Sequence, residues 1–310
     1  IVTKTGVVLP MQRAAFAKGQ AEQVVSLGGV NLTFLVNRDN QTFALKPEKG
    51  NPVVLKKQGD GLTPTVVPLA DKRKLPVAFP FASVSKLDSF FVLRAATTAK
   101  GSLDGEQIGF LDDDLDGKID TSDVFTLGAA CAFAPISKQV ATKKGVWTID
   151  AIAASGDQAT FSPDAAATVP LTFVFTGESQ GHAAISSEDG SLTTVVTGAK
   201  DVLKLPPGNY KLLHGVVVDG KGKVMAAVIP GELPAYTLAS DGADAKKKPI
   251  FAYGGPFKLG FKARMNNGKL AVDPYITLAG AGGERYLDYR WQGPPTVYVN
   301  GKQNGSMGFG

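Results

Sequence analysis

Short runs rich in Val, Thr, Phe and Leu recur along the whole chain, each closed within a few residues by Gly, Asn, Asp or Pro. Val30–Val36, Thr42–Leu45, Val146–Ile152, Leu171–Thr176, Tyr210–Val218, Lys223–Ile229 and Thr296–Val299 are examples. Branched and aromatic side chains suit a pleated, half-buried surface, and the punctuating residues supply the dihedrals of turns. Asp219-Gly220, Asn267-Gly268 and Asn300-Gly301 carry the positive-φ chemistry of tight hairpins. The pattern predicts a mainly β fold of many short strands. One stretch departs from it: Ala, Gln and Glu dominate Gln12–Leu27, which reads as a helix with Gly19 inside it.

The length of 310 residues exceeds one typical domain of about 100–200 residues, and a hydrophobic share of 44% supplies more than one core. Two or three β-sandwich domains are expected. The loop Pro163-Asp164-Ala165-Ala166-Ala167 and the polar stretch Ser240–Ala245 with the lysines after it mark the boundaries. They give an N-terminal β-rich unit over 1–162, a middle sandwich over 163–245 and a C-terminal sandwich over 246–310. The last either stands alone or merges with the middle one.

The net charge of +5 is a weak field for a chain of this size, and the longest basic runs, Lys72-Arg73-Lys74 and Lys246-Lys247-Lys248, read as solvated loops. Nucleic acid is therefore not an expected partner. No apolar run approaches the roughly 18 residues of a membrane-spanning helix. The start at Ile1, without an initiator Met or a signal-like apolar core, predicts processing or trimming. The single cysteine, Cys131, excludes an intrachain disulfide and reads as a small buried hydrophobe within Ala129–Phe133.

With two histidines, His182 and His214, and no Gly-x-Ser-x-Gly elbow, the chain offers little for nucleophilic catalysis. The Gly-rich Leu278–Glu284 lacks the Lys-Ser/Thr of a phosphate loop and reads as a flexible turn. No catalytic or cofactor-binding residue is assigned, and an enzyme is not expected. A C-terminal row of aromatics (Tyr286, Tyr289, Trp291 and Tyr298) is either core or an exposed stacking platform.

One segment carries specific chemistry. Asp112-Asp113-Asp114-Leu115-Asp116-Gly117-Lys118-Ile119-Asp120-Thr121-Ser122-Asp123 matches a calcium loop position by position. Asp112, Asp114 and Asp116 stand at positions 1, 3 and 5, and Gly117 at 6 allows the sharp turn. Lys118 at 7 offers its backbone carbonyl, Ile119 at 8 packs inward, Asp120 at 9 binds through water, and Asp123 closes at 12. A hard cation takes six to eight oxygens. Six Asp within 12 residues repel one another unless a cation such as Ca²⁺ is present.

This loop resembles that of dockerin modules, which also close with Asp and place a Leu four residues later, here Leu127. Dockerins carry the loop twice and follow it with a helix. This chain has it once, and Val124–Gly128 reads as a strand, so the loop sits between strands. The surrounding text, Ser102-Leu103-Asp104-Gly105, Leu127-Gly128-Ala129, Ala132–Ser137 and Lys144-Gly145-Val146-Trp147, resembles uncharacterised exported proteins of planctomycetes and related bacteria. Leu205-Pro206-Pro207-Gly208-Asn209-Tyr210 resembles the strand entry of carboxypeptidase-regulatory-like, Ig-like sandwiches. Gly255–Leu259, Gly282–Tyr286 and the Gly-rich terminus fit the same family's last domain. The resemblance implies export to the periplasm, cell surface or medium, and assigns no activity.

The expectation is a non-enzymatic structural or adhesive protein of the cell surface, a filament or an envelope complex, stiffened by Ca²⁺ and engaged with protein partners or with itself. The alternative is a carbohydrate- or substrate-binding accessory module, with a glycan on the C-terminal aromatics.

Overall fold

The computed structural model describes residues 7–10, 20–27, 30–37, 40–48, 51–58, 61–68, 74–84, 89–95, 99–177, 179–240, 249–266, 269–272, 277–287, 296–299 and 302–306. Within them the chain is mainly β, with several sheets and no helix. Burial follows the pleat: in Val30–Asn37 the residues Leu32, Phe34 and Val36 are buried, while Asn31 is exposed.

The helix expected over Gln12–Leu27 does not form in its second half. Gln20–Leu27 is a strand, antiparallel along its full length to Val30–Asn37. Helix propensity is worth tenths of a kcal/mol per residue, and a hairpin partner with a buried apolar row outweighs it. Residues 12–19 lie outside the described residues, as do Asn267-Gly268, Asn300-Gly301 and Lys246–Lys248. At Asp219-Gly220 the hairpin exists, but its turn is longer than two residues. Asp219 and Lys223 close it, Asp219 Oδ1 accepts from Lys221 N–H and Lys223 N–H, and Gly222 holds the positive φ, 77°.

Two N-terminal sheets share one core. The first runs Gln20–Leu27, Val30–Asn37, Thr42–Pro47 and Val53–Leu55; the second runs Val7–Pro10, Ser89–Ala95, Lys74–Val84, Gly61–Pro68 and Lys57–Gln58. Leu32, Phe34, Leu45, Val67, Val77 and Phe79 meet there, with Phe34 and Phe79 edge to face at 5.5 Å.

A third sheet comprises Ala99–Leu103, Glu106–Leu111, Val124–Leu127 and Ala134–Pro135. Its two faces serve different cores. Leu111 lies opposite Val124, and both join the N-terminal core; Phe110 lies opposite Phe125, and both join a second core with Ile108, Leu127, Ile136 and Val140.

Beyond it lies an 11-stranded sheet. It takes Gln139–Ala141, Val146–Ile152 and Ala159–Pro163 from the first sequence segment, and Gln180–Ser187, Leu192–Val196, Gly208–Val218, Val224–Ile229 and Tyr236–Leu238 from the second. Lys258–Gly260, Thr277–Ala279 and Arg285–Leu287 come from the third. A three-stranded sheet, Ala199–Leu205, Val169–Thr176 and Ile250–Gly254, faces it. Leu171, Phe173, Leu203, Phe251 and Tyr253 from the small sheet share a core with Ile185, Leu212, Val217 and Val228 from the large one. Among the described residues no helix is long and apolar enough to cross a membrane.

Candidate metal centre

The aspartate loop connects the two central strands of the third sheet, Glu106–Leu111 and Val124–Leu127, so both of its ends are anchored in a hydrogen-bonded ladder. Within the loop, carboxylates organise the backbone. Asp112 Oδ2 accepts Gly117 N–H at 2.9 Å, Asp114 Oδ1 accepts Asp116 N–H at 3.1 Å, and Asp116 Oδ1 accepts Lys118 N–H at 2.7 Å. Each bond turns the chain back toward the preceding carboxylate, as Asp favours in turns. Gly117 has φ 82°, the left-handed conformation that glycine adopts without steric cost.

This winding brings one oxygen each of Asp112, Asp114 and Asp116 within 4.8 Å of one another, an arrangement that can hold a metal ion. Asp112 is 6% exposed, and its Oδ1 is buried without a hydrogen-bond partner among the described residues. A buried carboxylate oxygen left unsatisfied is costly. Burial, with the nearby Asp123 charge adding to it, pushes the Asp112 carboxyl up to about 7, against the pull of the Gly117 and Leu115 N–H groups. A cation held by the Asp112 carboxylate would oppose that shift.

The other expected ligands have a different setting. Asp123 is 1% exposed; its Oδ1 accepts Asp113 N–H at 2.8 Å and its Oδ2 accepts Asp120 N–H at 2.9 Å, so it holds both halves of the loop. Burial raises its pKa, and those two N–H groups lower it. Asp120 is exposed, and its Oδ1 accepts from Ser122 N–H and lies 2.7 Å from Ser122 Oγ, which hold its carboxyl below the ordinary value. Ser122 Oγ also lies 2.8 Å from Asp114 Oδ2. Lys118 is exposed, on the turn after Gly117. Asp120 and Asp123 are not members of the three-carboxylate cluster.

Ile119 packs inward as the loop pattern requires, 7% exposed in the second core, and its N–H donates to Ala154 O at 2.8 Å. The sequence pattern assigns no role to Leu115. It is 1% exposed, lies in the N-terminal core and has φ 62°. An apolar residue flanked by Asp114 and Asp116 was the available signal.

The other chemistry-bearing residues lie elsewhere. His182 is 4% exposed in the strand Gln180–Ser187; its Nδ1 accepts Cys131 N–H at 2.8 Å, which fixes the proton on Nε2. Cys131 itself is exposed, correcting the buried expectation: its backbone is tied down by His182 while its neighbours Ala132 and Ala134 fill the core. Tyr286 is buried, and its hydroxyl donates to Glu284 Oε1, so it belongs to the core and not to a stacking row. Tyr289 and Trp291 lie outside the described residues, and Tyr298 is described only as part of the strand Thr296–Val299.

Burial holds the His182 imidazole below its ordinary pKa, with Asp201 opposing. The unfolded chain therefore binds the His182 proton more readily than the folded one. This contribution to stability is present above about 6.5, the unperturbed value, and is lost as pH falls below it. Urea unfolding from pH 7.5 to 5.5 is expected to show a loss that the His182→Asn variant lacks. Equal pH dependence in the two proteins would show that the folded state binds the proton as readily.

No protein-family model, no curated protein and no solved structure matches this chain.

Proposed function

We propose that this chain is a non-enzymatic exported protein with a structural or adhesive role, stiffened by Ca²⁺ bound in the 112–123 loop. The observation that carries the metal assignment is the cluster of one carboxylate oxygen each from Asp112, Asp114 and Asp116, in which Asp112 also keeps a buried, unpartnered Oδ1. An all-oxygen set on a turning loop suits a hard cation, and the absence of Cys or His from the cluster disfavours softer metals. Lys118 contributes its carbonyl and Asp120 acts through water. A carboxylate has about four lone-pair sites, so Asp123 keeps acceptor capacity after taking two N–H bonds. Extracellular calcium modules work at Kd of about 10⁻⁴–10⁻³ M, a concentration met outside cells.

One feature bears on the sandwich fold and another on assembly. Tyr210 O–H donates to Pro206 O at 2.7 Å, four residues upstream, the corner contact of Ig-like Greek-key sandwiches. This supports the sandwich reading of the two sheets around Phe173 and Tyr253. At the end of the large sheet, Lys258–Gly260 pairs with Thr277–Ala279 alone among the described residues, and exposed Phe257, Leu259 and Phe261 alternate along it. An apolar edge of this kind favours pairing with another chain. The resemblance of the sequence to exported bacterial proteins of unassigned activity is part of the same reading.

Calcium at about 100 times its Kd is expected to stabilise the fold by about 2.7 kcal/mol. Chelation should therefore lower Tm by several degrees, and Asp116→Ala should remove the calcium dependence. A Tm that ignores both chelator and the substitution would sink the metal assignment.

A further inference from the structure

The loop is unusual in where its two apolar residues go. Leu115 lies between Asp114 and Asp116, and its side chain is buried in the N-terminal core with Leu27, Phe34, Phe79, Leu111 and Val124. Ile119 lies four residues later and is buried in the second core with Phe110, Phe125 and Ile136. Its other neighbours come from the large sheet's hairpin: Ile119 N–H donates to Ala154 O, and its Cγ1 stands 2.7 Å from where a Cβ on Gly156 would sit. One metal-binding turn thus holds a side chain in each of two cores that the third sheet separates.

Leu115 reaches its core from a left-handed conformation, φ 62°, which costs a non-glycine residue about 1–2 kcal/mol. That conformation is set by the winding of the carboxylates on either side: Asp112 Oδ2 on Gly117 N–H and Asp114 Oδ1 on Asp116 N–H close the turns that contain it. A cation gathering the same three carboxylates fixes the positions of both apolar side chains at once. Without it, the buried Asp112 Oδ1 is unsatisfied and the like charges favour an opened loop.

We infer that calcium occupancy couples the N-terminal sheets to the rest of the molecule, with Leu115 and Ile119 as the two pegs and the metal as the rivet between them. This rests on the calcium reading above. Metal-loaded, the two cores open together; metal-free, the N-terminal sheets open on their own. In an exported chain this makes stiffness along the molecule a function of external calcium.

The test is hydrogen exchange with mass spectrometry on the full chain, with and without calcium, beside terbium luminescence as a direct report of metal binding. In the wild type, calcium is expected to slow exchange in peptides covering 30–37, 42–47 and 74–84, far in sequence from the loop, as well as in 112–123. The Leu115→Gly variant keeps the backbone conformation, since glycine adopts positive φ freely. It is expected to bind terbium and to protect 112–123, while the calcium effect on the N-terminal peptides is lost. Calcium protection confined to the loop in the wild type overturns the coupling and leaves the metal site standing. Transmission undiminished in Leu115→Gly overturns the role of Leu115. Absence of terbium luminescence from the wild type removes both the site and the coupling. Because the wild-type comparison decides the coupling by itself, failure of the variant to fold does not protect the inference.

Discussion

Replacing Glu284 by Ala is expected to destabilise the protein by about 1–5 kcal/mol: two buried donors lose their acceptor at roughly 1–3 kcal/mol each, offset in part because the buried, unpartnered Oε2 is removed as well. Glu284 is fully buried, and its Oε1 accepts Gly254 N–H at 2.6 Å and Tyr286 O–H at 2.7 Å. It thereby ties the small sheet, through Gly254, to the strand Arg285–Leu287 of the large one. The carboxylate occupies the space that explains its glycine neighbours: a Cβ on Gly280 would sit 1.8 Å from Glu284 Oε1 and 2.7 Å from Gly254 O. Gly280→Ala is therefore also strongly destabilising. The two substitutions share a cause, so Glu284→Ala should relieve much of the Gly280→Ala clash. The double variant is expected to lose less than the sum by about 0.5–3 kcal/mol, measured by denaturant unfolding in a double-mutant cycle. Strict additivity would show that Gly280 is not there to make room for the carboxylate.

Phe173→Ala is expected to cost about 3–5 kcal/mol, the usual range for a phenylalanine deleted from a packed core. Phe173 has no exposed surface, and its ring lies 5.5 Å from that of Phe251 on the parallel strand Ile250–Gly254. It stands on the middle strand of the small sheet, facing the large one, so the cavity opens between two sheets held apart by their own ladders and cannot collapse cheaply. Phe173→Leu, which keeps most of the volume, should lose much less. An alanine variant within about 1 kcal/mol of wild type by urea unfolding would show that these sheets do not share a core.

The Gly-rich turn at Leu278–Glu284 shows where sequence reading stops. Its composition is that of a flexible loop, and nothing local reveals that a buried carboxylate fills it. Glu284 is hidden by partners on Gly254, thirty residues away in the chain. Gln20–Leu27 fails differently: its local preference is helical, and the decision is made by the antiparallel partner beside it. The reading of the loop differs again in being almost wholly local. Asp112, Asp114, Asp116 and Gly117 are within five residues, so the hydrogen bonds that gather them cross one turn of chain. Asp123 and Asp120 are equally visible as residues, but their roles in bonding the loop's own N–H groups depend on how the turn closes.

Most strands, Gln20–Leu27 excepted, and the carboxylate cluster follow from the sequence alone, because alternation, turn chemistry and an aspartate every second residue act over a few residues. Which sheets face one another, the fate of Leu115 and Ile119 in separate cores, the burial of Glu284 and the exposure of Cys131 are decided only by the tertiary structure. These depend on packing between segments tens to hundreds of residues apart, and burial there determines which side chains are exposed, paired or strained.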